Sequence, residues 1–349
     1  MTRLLVQGIQ EQRSFDVKPL SVDSTYPIYV TNDEKYVIKI VDASPIDHFA
    51  KLFHYFHERF EDVKKHMTID ARKKGYPVNT IDCLGYALTS MWRAFPFDFG
   101  KASLGSDKKV GWGIISNYLD GIQLNKGLEL DLSLDVEDVK RTIRRLLCEV
   151  AVIHAIGIVH MDITPPNIIL NANQREAYIV DWDLAQISGS ELLTVTVAYP
   201  YEQSIPLPPG FDPRFADATP HTFFDVWYLP VDILNIIAIF DQDMRQLFGG
   251  NRPYPMFFIK FPTIDKLRGL KAHLKKKKSR ETWPPDYDAV KDYEYYDENV
   301  TKEHLDRFRE TLSKYVDPAL FYGVYLDALD DRKRLSAIDL LNLLADNPR

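Results

Sequence analysis

With 349 residues, 45% hydrophobic and 27% charged, the chain can bury one large core or two packed lobes. Its net charge of −7 lacks the basic footprint of a general nucleic-acid binder, so no nucleic acid is expected as a partner. Only two cysteines, Cys83 and Cys148, exclude a disulfide framework or a metal finger; with no apolar leader in MTRLLVQGIQEQRSF, they suit a cytoplasmic or nuclear setting.

Taken in order, Tyr26–Val30 and Tyr36–Val41 read as strands around the turn residues Asn32, Asp33 and Glu34. A helix is predicted over roughly 45 to 67, where Phe49, Phe53, Phe56, Phe60, Val63 and Met67 make one apolar stripe. Ile81–Ser90 and Val110–Tyr118 read as strands, with a loop over Phe95–Lys109 between them. Residues 1–118 thus read as a small α+β unit, strand-rich with one main helix.

Residues 119–349 read as mostly helical. Asp135 can cap a helix that stops at Gly157, where a left-handed cap belongs. Further helices are predicted over Asp225–Phe240 and Ser336–Leu344. The most apolar stretch, Val231–Phe240, is interrupted by Asp232 and Asn235 and is shorter than the about 20 residues that cross a bilayer, so it reads as a core helix and no membrane span is expected. A charged insertion around 265–300 holds the basic run Lys275–Arg280 and an acidic, tyrosine-rich stretch over 286–299. It reads as a solvated surface segment or, alternatively, as a nuclear-import or docking signal.

The strongest chemical signal is His160-Met-Asp-Ile-Thr-Pro-Pro-Asn167 followed by Tyr178-Ile-Val-Asp-Trp-Asp183. Asp162 and Asn167 stand five apart, and Asp181 follows Asp162 by 19 residues across two apolar strand-like segments. That spacing suits a hairpin carrying two acids and an amide to one cleft, hard oxygen donors of the kind Mg²⁺ takes. In these residues the chain resembles the protein-kinase superfamily, whose catalytic loop is H-R-D-L-x-x-x-N and whose metal motif is D-F-G.

The resemblance extends over about residues 18 to 345. Val37-Ile-Lys39-Ile is similar to the strand motif V-A-I-K, which implies that Lys39 contacts nucleotide phosphates. Asn117, Tyr118 and Leu119, in Asn117-Tyr-Leu-Asp-Gly121, resemble the hinge where adenine binds. Ala198-Tyr-Pro-Tyr-Glu202 resembles A-P-E, and Arg334 the arginine that pairs with its glutamate. Asp225 resembles the large-lobe acid that holds the catalytic loop by hydrogen bonds. The glutamate that should hold Lys39 falls at Glu58, although that residue lies opposite the phenylalanine stripe, with Glu61 nearer its edge.

Departures from the family are specific. Ser21–Ile28 has no glycine where the family has a glycine-rich phosphate loop. Met161 replaces the arginine before the catalytic acid, so no activation by phosphorylation of Thr194 or Thr196 is expected. Thr164 stands where serine/threonine kinases carry lysine, and Trp182 and Asp183 replace Phe and Gly of D-F-G. Such a D-W-D ending also resembles small-molecule kinases of the aminoglycoside and choline type. Phe97-Asp98-Phe99-Gly100 spells D-F-G but precedes the catalytic loop and reads as an ordinary loop.

The resemblance implies a two-lobed α+β fold with a small β-rich lobe and a larger helical one. It implies an ATP- and Mg²⁺-dependent serine/threonine kinase acting on a protein substrate or partner. Asp162 would be the base, Asn167 and Asp181 the metal ligands and Lys39 the phosphate contact, with His160 structural. The alternatives are a pseudokinase scaffold and a small-molecule kinase.

Overall fold

A computed structural model describes residues 2–9, 11–20, 26–43, 46–104, 108–127, 135–171, 176–190, 221–247, 264–279, 284–290 and 301–344. Six strands come from the first third of the chain: β1 (Thr2–Gln7), β2 (Gln12–Pro19), β3 (Ile28–Thr31), β4 (Tyr36–Val41), β5 (Asp98–Leu104) and β6 (Lys108–Asn117). They close into an antiparallel barrel in the order β1-β2-β3-β4-β6-β5, with β5 returning to β1. Alternation along these strands points Leu4, Val6, Val17, Ile38, Ile40, Ala102 and Ile115 into one apolar core.

Two strands, β1 and β2, precede the first one predicted. Their inward residues are few and most of their outward ones polar or charged, so each alternating run is short (Leu4 and Val6 in one, Val17 in the other). The Phe97–Gly100 segment is not an ordinary loop; Asp98 opens β5. Its carboxylate is buried, accepts the Ile9 amide at 3.0 Å and pairs with Arg13 at 3.3 Å, fixing the β1–β2 turn. Gly100 is required there because a Cβ would lie 1.7 Å from the Gln7 carbonyl oxygen.

Two long helices, not one, fall between β4 and β5. α1 (Ile46–Lys73) buries Phe49, Phe53, Phe56, Phe60 and Val63 on the predicted stripe and runs on past 67. Ile81–Ser90, read above as a strand, lies within helix α2 (Val78–Ala94). Its buried residues, Ile81, Leu84, Ala87, Leu88 and Met91, recur at three- and four-residue spacing, and that period outweighs the β-like composition.

After β7 (Ile122–Gln123) and the short α3 (Leu124–Gly127), α4 (Val136–Ile156) forms the central helix. Asp135 caps it by accepting the Asp138 amide at 2.8 Å. Gly157 ends it at φ 92°, where a Cβ would meet the Tyr55 hydroxyl at 2.6 Å. β8 (Ile158–Val159) pairs with β11 (Gln186–Ile187), and between them β9 (Ile168–Asn171) and β10 (Glu176–Ile179) form an antiparallel hairpin.

α5 (Phe223–Phe240) follows, with α6 (Gln242–Leu247), α7 (Ile264–Lys277), α8 (Tyr287–Val290), α9 (Lys302–Ser313), α10 (Ala319–Tyr325) and α11 (Ala337–Leu344). α5 is apolar and long enough to cross a membrane by composition, with mean hydropathy 1.7, but 94% of it is buried within the protein. Of the charged insertion, Lys275–Lys277 end α7, while Arg280 and 291–299 lie outside the described residues.

One core runs through α1, α2, α4, the β9–β10 hairpin and α5. Within it Glu149 of α4 is buried and accepts the Ile179 amide at 3.0 Å, two residues before Asp181. Burial pushes its pKa up to about 8. The fold therefore favours the protonated carboxyl. Its contribution is complete below an unfolded value of 4.5 and is lost as pH rises through about 8. Glu149→Gln, neutral at every pH, is expected to melt higher than the parent at pH 8, by on the order of a few kcal/mol, and nearly equally at pH 5. Thermal denaturation at both pH values checks this; an equal difference at the two would contradict it.

Candidate active site

The loop from His160 to Asn167 is held from below by one carboxylate. Asp225, in the first turn of α5 and 1% exposed, accepts the His160 amide at 2.8 Å and the Met161 amide at 2.9 Å. His154 Nε2, from the end of α4, lies 3.0 Å from the same carboxylate. Met161 is thereby kept at φ 67°, a left-handed conformation that non-glycine residues rarely adopt. The His160 ring is fully buried, its pKa pushed down by burial, and it packs edge-on against Trp182 at 4.8 Å. It fills space instead of facing the cleft.

The bulky Trp182 fits because a column of rings receives it. Its indole meets Phe95 at 5.0 Å, and Phe95 stacks on Phe56 of α1 at 3.6 Å. Rings thus run continuously from α1 through the Asp181–Asp183 turn to the loop.

Three of the predicted residues meet within this frame. Asn167 Nδ2 donates to the Asp162 carbonyl at 3.0 Å and to its carboxylate at 2.7 Å. Thr164, in the lysine position, is buried, and its hydroxyl lies 3.5 Å from the same carboxylate. Asp181 adopts φ 64°, the second left-handed non-glycine residue at the site. Burial, then the Asp181 charge, push the Asp162 pKa up to about 7. Asp232 of α5 is wholly buried with no hydrogen-bond partner among the described residues; burial, then the Asp162 charge, push its pKa well up. Read in sequence only as an interruption of an apolar run, Asp232 is a buried acid near enough to Asp162 to feel its charge, and its burial favours the neutral form.

Lys39 reaches the same point from β4. Its Nζ lies 2.8 Å from Asp181 Oδ1 and 2.7 Å from Asp183 Oδ2. Burial opposes its charge, but the Asp181 and Asp183 carboxylates more than offset this and raise its pKa. Glu58 does not take part: it is exposed on the outer face of α1, and Glu61, also exposed, pairs with Lys64. The helical period puts Glu58 opposite the buried phenylalanines, and Glu61, nearer the edge of the stripe, is exposed as well. Asp183 is the partner that sequence reasoning missed; the signal was an acid in the glycine position of D-F-G.

At the expected hinge, Asn117 ends β6 and donates to the Arg93 carbonyl at 3.0 Å. The Tyr118 amide donates to the Lys35 carbonyl at 2.8 Å, and Leu119 is buried against Ala94 and Tyr178. These bonds tie the segment to the turn before β4 and to α2. Of the stretch lacking glycine, 21–25 lie outside the described residues, and the Tyr26 ring covers Lys39 at 5.5 Å. Thr194, Thr196 and the segment 198–202 are also outside them, including Glu202 of the expected pair with Arg334. The Arg334 guanidinium lies 5.2 Å from the Phe223 ring centre.

The donors suit a hard divalent cation. With its amide nitrogen on Asp162, Asn167 could offer its carbonyl oxygen to such a cation, as could the Asp181 carboxylate. No cage of three or more His, Cys, Asp or Glu exists among the described residues.

Residues 103–201, which contain Asp162, Asn167 and Asp181, match the family described as Protein kinase domain. The match supports a protein kinase-like superfamily for this part of the chain. It is 32% identical over 75 residues to a probable casein kinase II subunit alpha homolog of Encephalitozoon cuniculi. That match spans 22% of this chain and 23% of the relative's length.

Removing the Asp225 carboxylate leaves two buried amides without acceptors, each costing roughly 1–3 kcal/mol. Asp225→Ala is therefore expected to lower stability by about 3 kcal/mol or more in chemical denaturation, and Asp225→Asn by less. A loss under about 1 kcal/mol for the alanine variant would show that the loop is held by something else.

Proposed function

We propose that the protein is an ATP- and Mg²⁺-dependent phosphotransferase that modifies serine or threonine hydroxyls of a protein substrate. The observation that carries this reading is the convergence of Lys39, Asp162, Asn167 and Asp181 on one cleft from separate segments of the chain. Phosphoryl transfer depends on positioning and charge neutralisation more than on covalent chemistry, and these are the groups it requires.

Asp162 orients the acceptor hydroxyl and takes its proton. A base acts best when its pKa lies near the working pH, and the buried setting of Asp162 is of that kind. Asn167 fixes the Asp162 carboxylate through its amide hydrogens and offers its oxygen to the metal, together with Asp181. Asn167 and Asp181 would hold a divalent metal, which would supply charge neutralisation for the transferred phosphoryl group. Lys39 contacts the nucleotide phosphates, and the backbone of 117–119 borders the adenine. Thr164, hydrogen-bonded to Asp162, does not supply the positive charge of the family's lysine.

Purified protein incubated with γ-labelled ATP, Mg²⁺ and generic protein substrates is expected to transfer label. Asp162→Asn is expected to reduce transfer about 10²- to 10⁴-fold while leaving nucleotide binding intact, as loss of a general base does. Nucleotide binding is read as a thermal shift. Binding with no transfer to any protein would favour a small-molecule kinase or a nucleotide-binding regulator, and neither binding nor transfer would favour a scaffold.

A further inference from the structure

We infer that Asp183 is the positioning residue for Lys39, in the place that a helix glutamate holds in protein kinases. The phosphotransferase reading enters only in what Lys39 does; the ion pair stands without it.

Lys39 is mostly buried, its side chain 14% exposed, so its charge needs a fixed counter-ion. Of the two carboxylates on Nζ, Asp181 is the one expected to turn to a metal. Asp183, at 2.7 Å, is then the acid left to hold the ammonium. No acid of α1 competes for this role, because Glu58 and Glu61 are exposed on the outer face.

The chain on both sides of Asp183 is also fixed, as a positioning residue requires. Trp182 before it is locked in the ring column against Phe95 and His160. The Ala185 amide donates back to the Trp182 carbonyl at 3.2 Å, closing the turn that carries Asp183. Immediately after, β11 pairs with β8, next to His160. His48, in the first turn of α1, donates from Nε2 to the Ala185 carbonyl at 2.7 Å. The helix that bears the glutamate in the family therefore still governs the lysine here, through His48, the backbone at Ala185 and Asp183.

The glycine of D-F-G permits close, flexible backbone. In this chain flexibility is exchanged for a side chain that reaches the lysine. The same exchange accounts for two departures at once: the missing helix glutamate and the acid in the glycine position.

The test is the reactivity of Lys39 toward an amine-acylating ester, followed by mass spectrometry of its peptide at pH 8 in the full chain without nucleotide. Only the neutral amine reacts, so loss of a counter-charge speeds labelling. Asp183→Asn, and separately Asp183→Gly, are expected to raise the Lys39 rate about threefold to tenfold, with Asp183→Glu near the parent. In nucleotide binding, Lys39→Met with Asp183→Asn is expected to be no weaker than Lys39→Met alone, since the two act as one unit. An unchanged labelling rate in both Asn and Gly variants would overturn the inference while leaving label transfer from ATP untouched. Conversely, a parent protein that transfers no phosphate but shows faster labelling in these variants would sink the phosphotransferase reading and keep the ion pair.

Discussion

The site depends on the carboxylate of Asp225. A carboxylate with 1% exposure is costly unless every lone pair is used, and this one accepts two loop amides and faces His154. The bonds fix the backbone where it is least relaxed, at Met161 with φ 67°. Such a conformation costs of order 1–3 kcal/mol, which the two charge-assisted hydrogen bonds offset. Asp162 follows directly, so its placement is a consequence of α5, a helix buried almost throughout.

Above the loop, packing does the work that glycine and arginine do in better-known members of the superfamily. Trp182 joins Phe95 and Phe56 in one column, linking α1 to the turn that carries Asp181 and Asp183. Met161, which replaces arginine, is 1% exposed and belongs to the same core. A buried methionine there carries no charge. Charge in the cleft is instead concentrated among Lys39, Asp162, Asp181 and Asp183, where burial shifts the ionisation of each acid whose pKa is displaced.

Sequence spacing made the hairpin between Asp162 and Asp181, the α4 caps and the role of Asp225 legible, because each rests on a local rule. An acid and an amide five apart, a left-handed glycine and an acid opening a buried helix keep their meaning wherever they occur. What was illegible depended on partners distant in sequence. α2 was misread because a β-like composition with Gly85 in its middle hid a helical period that matters only once α4 packs on it. β1 and β2 became visible only through their closure onto β5 and β3. Asp183 gave a local signal, but its role needed the knowledge that α1 turns Glu58 outward while His48 reaches Ala185.

The central claim is that this cleft is a nucleotide–metal site. A crystal structure with a non-hydrolysable ATP analogue and Mg²⁺ tests it most directly. The account predicts a cation bound by the Asn167 carbonyl oxygen and the Asp181 carboxylate, with Lys39 on a phosphate and the adenine beside 117–119. A cleft that stays empty at saturating analogue, or a nucleotide bound away from Lys39, Asn167 and Asp181, would contradict it.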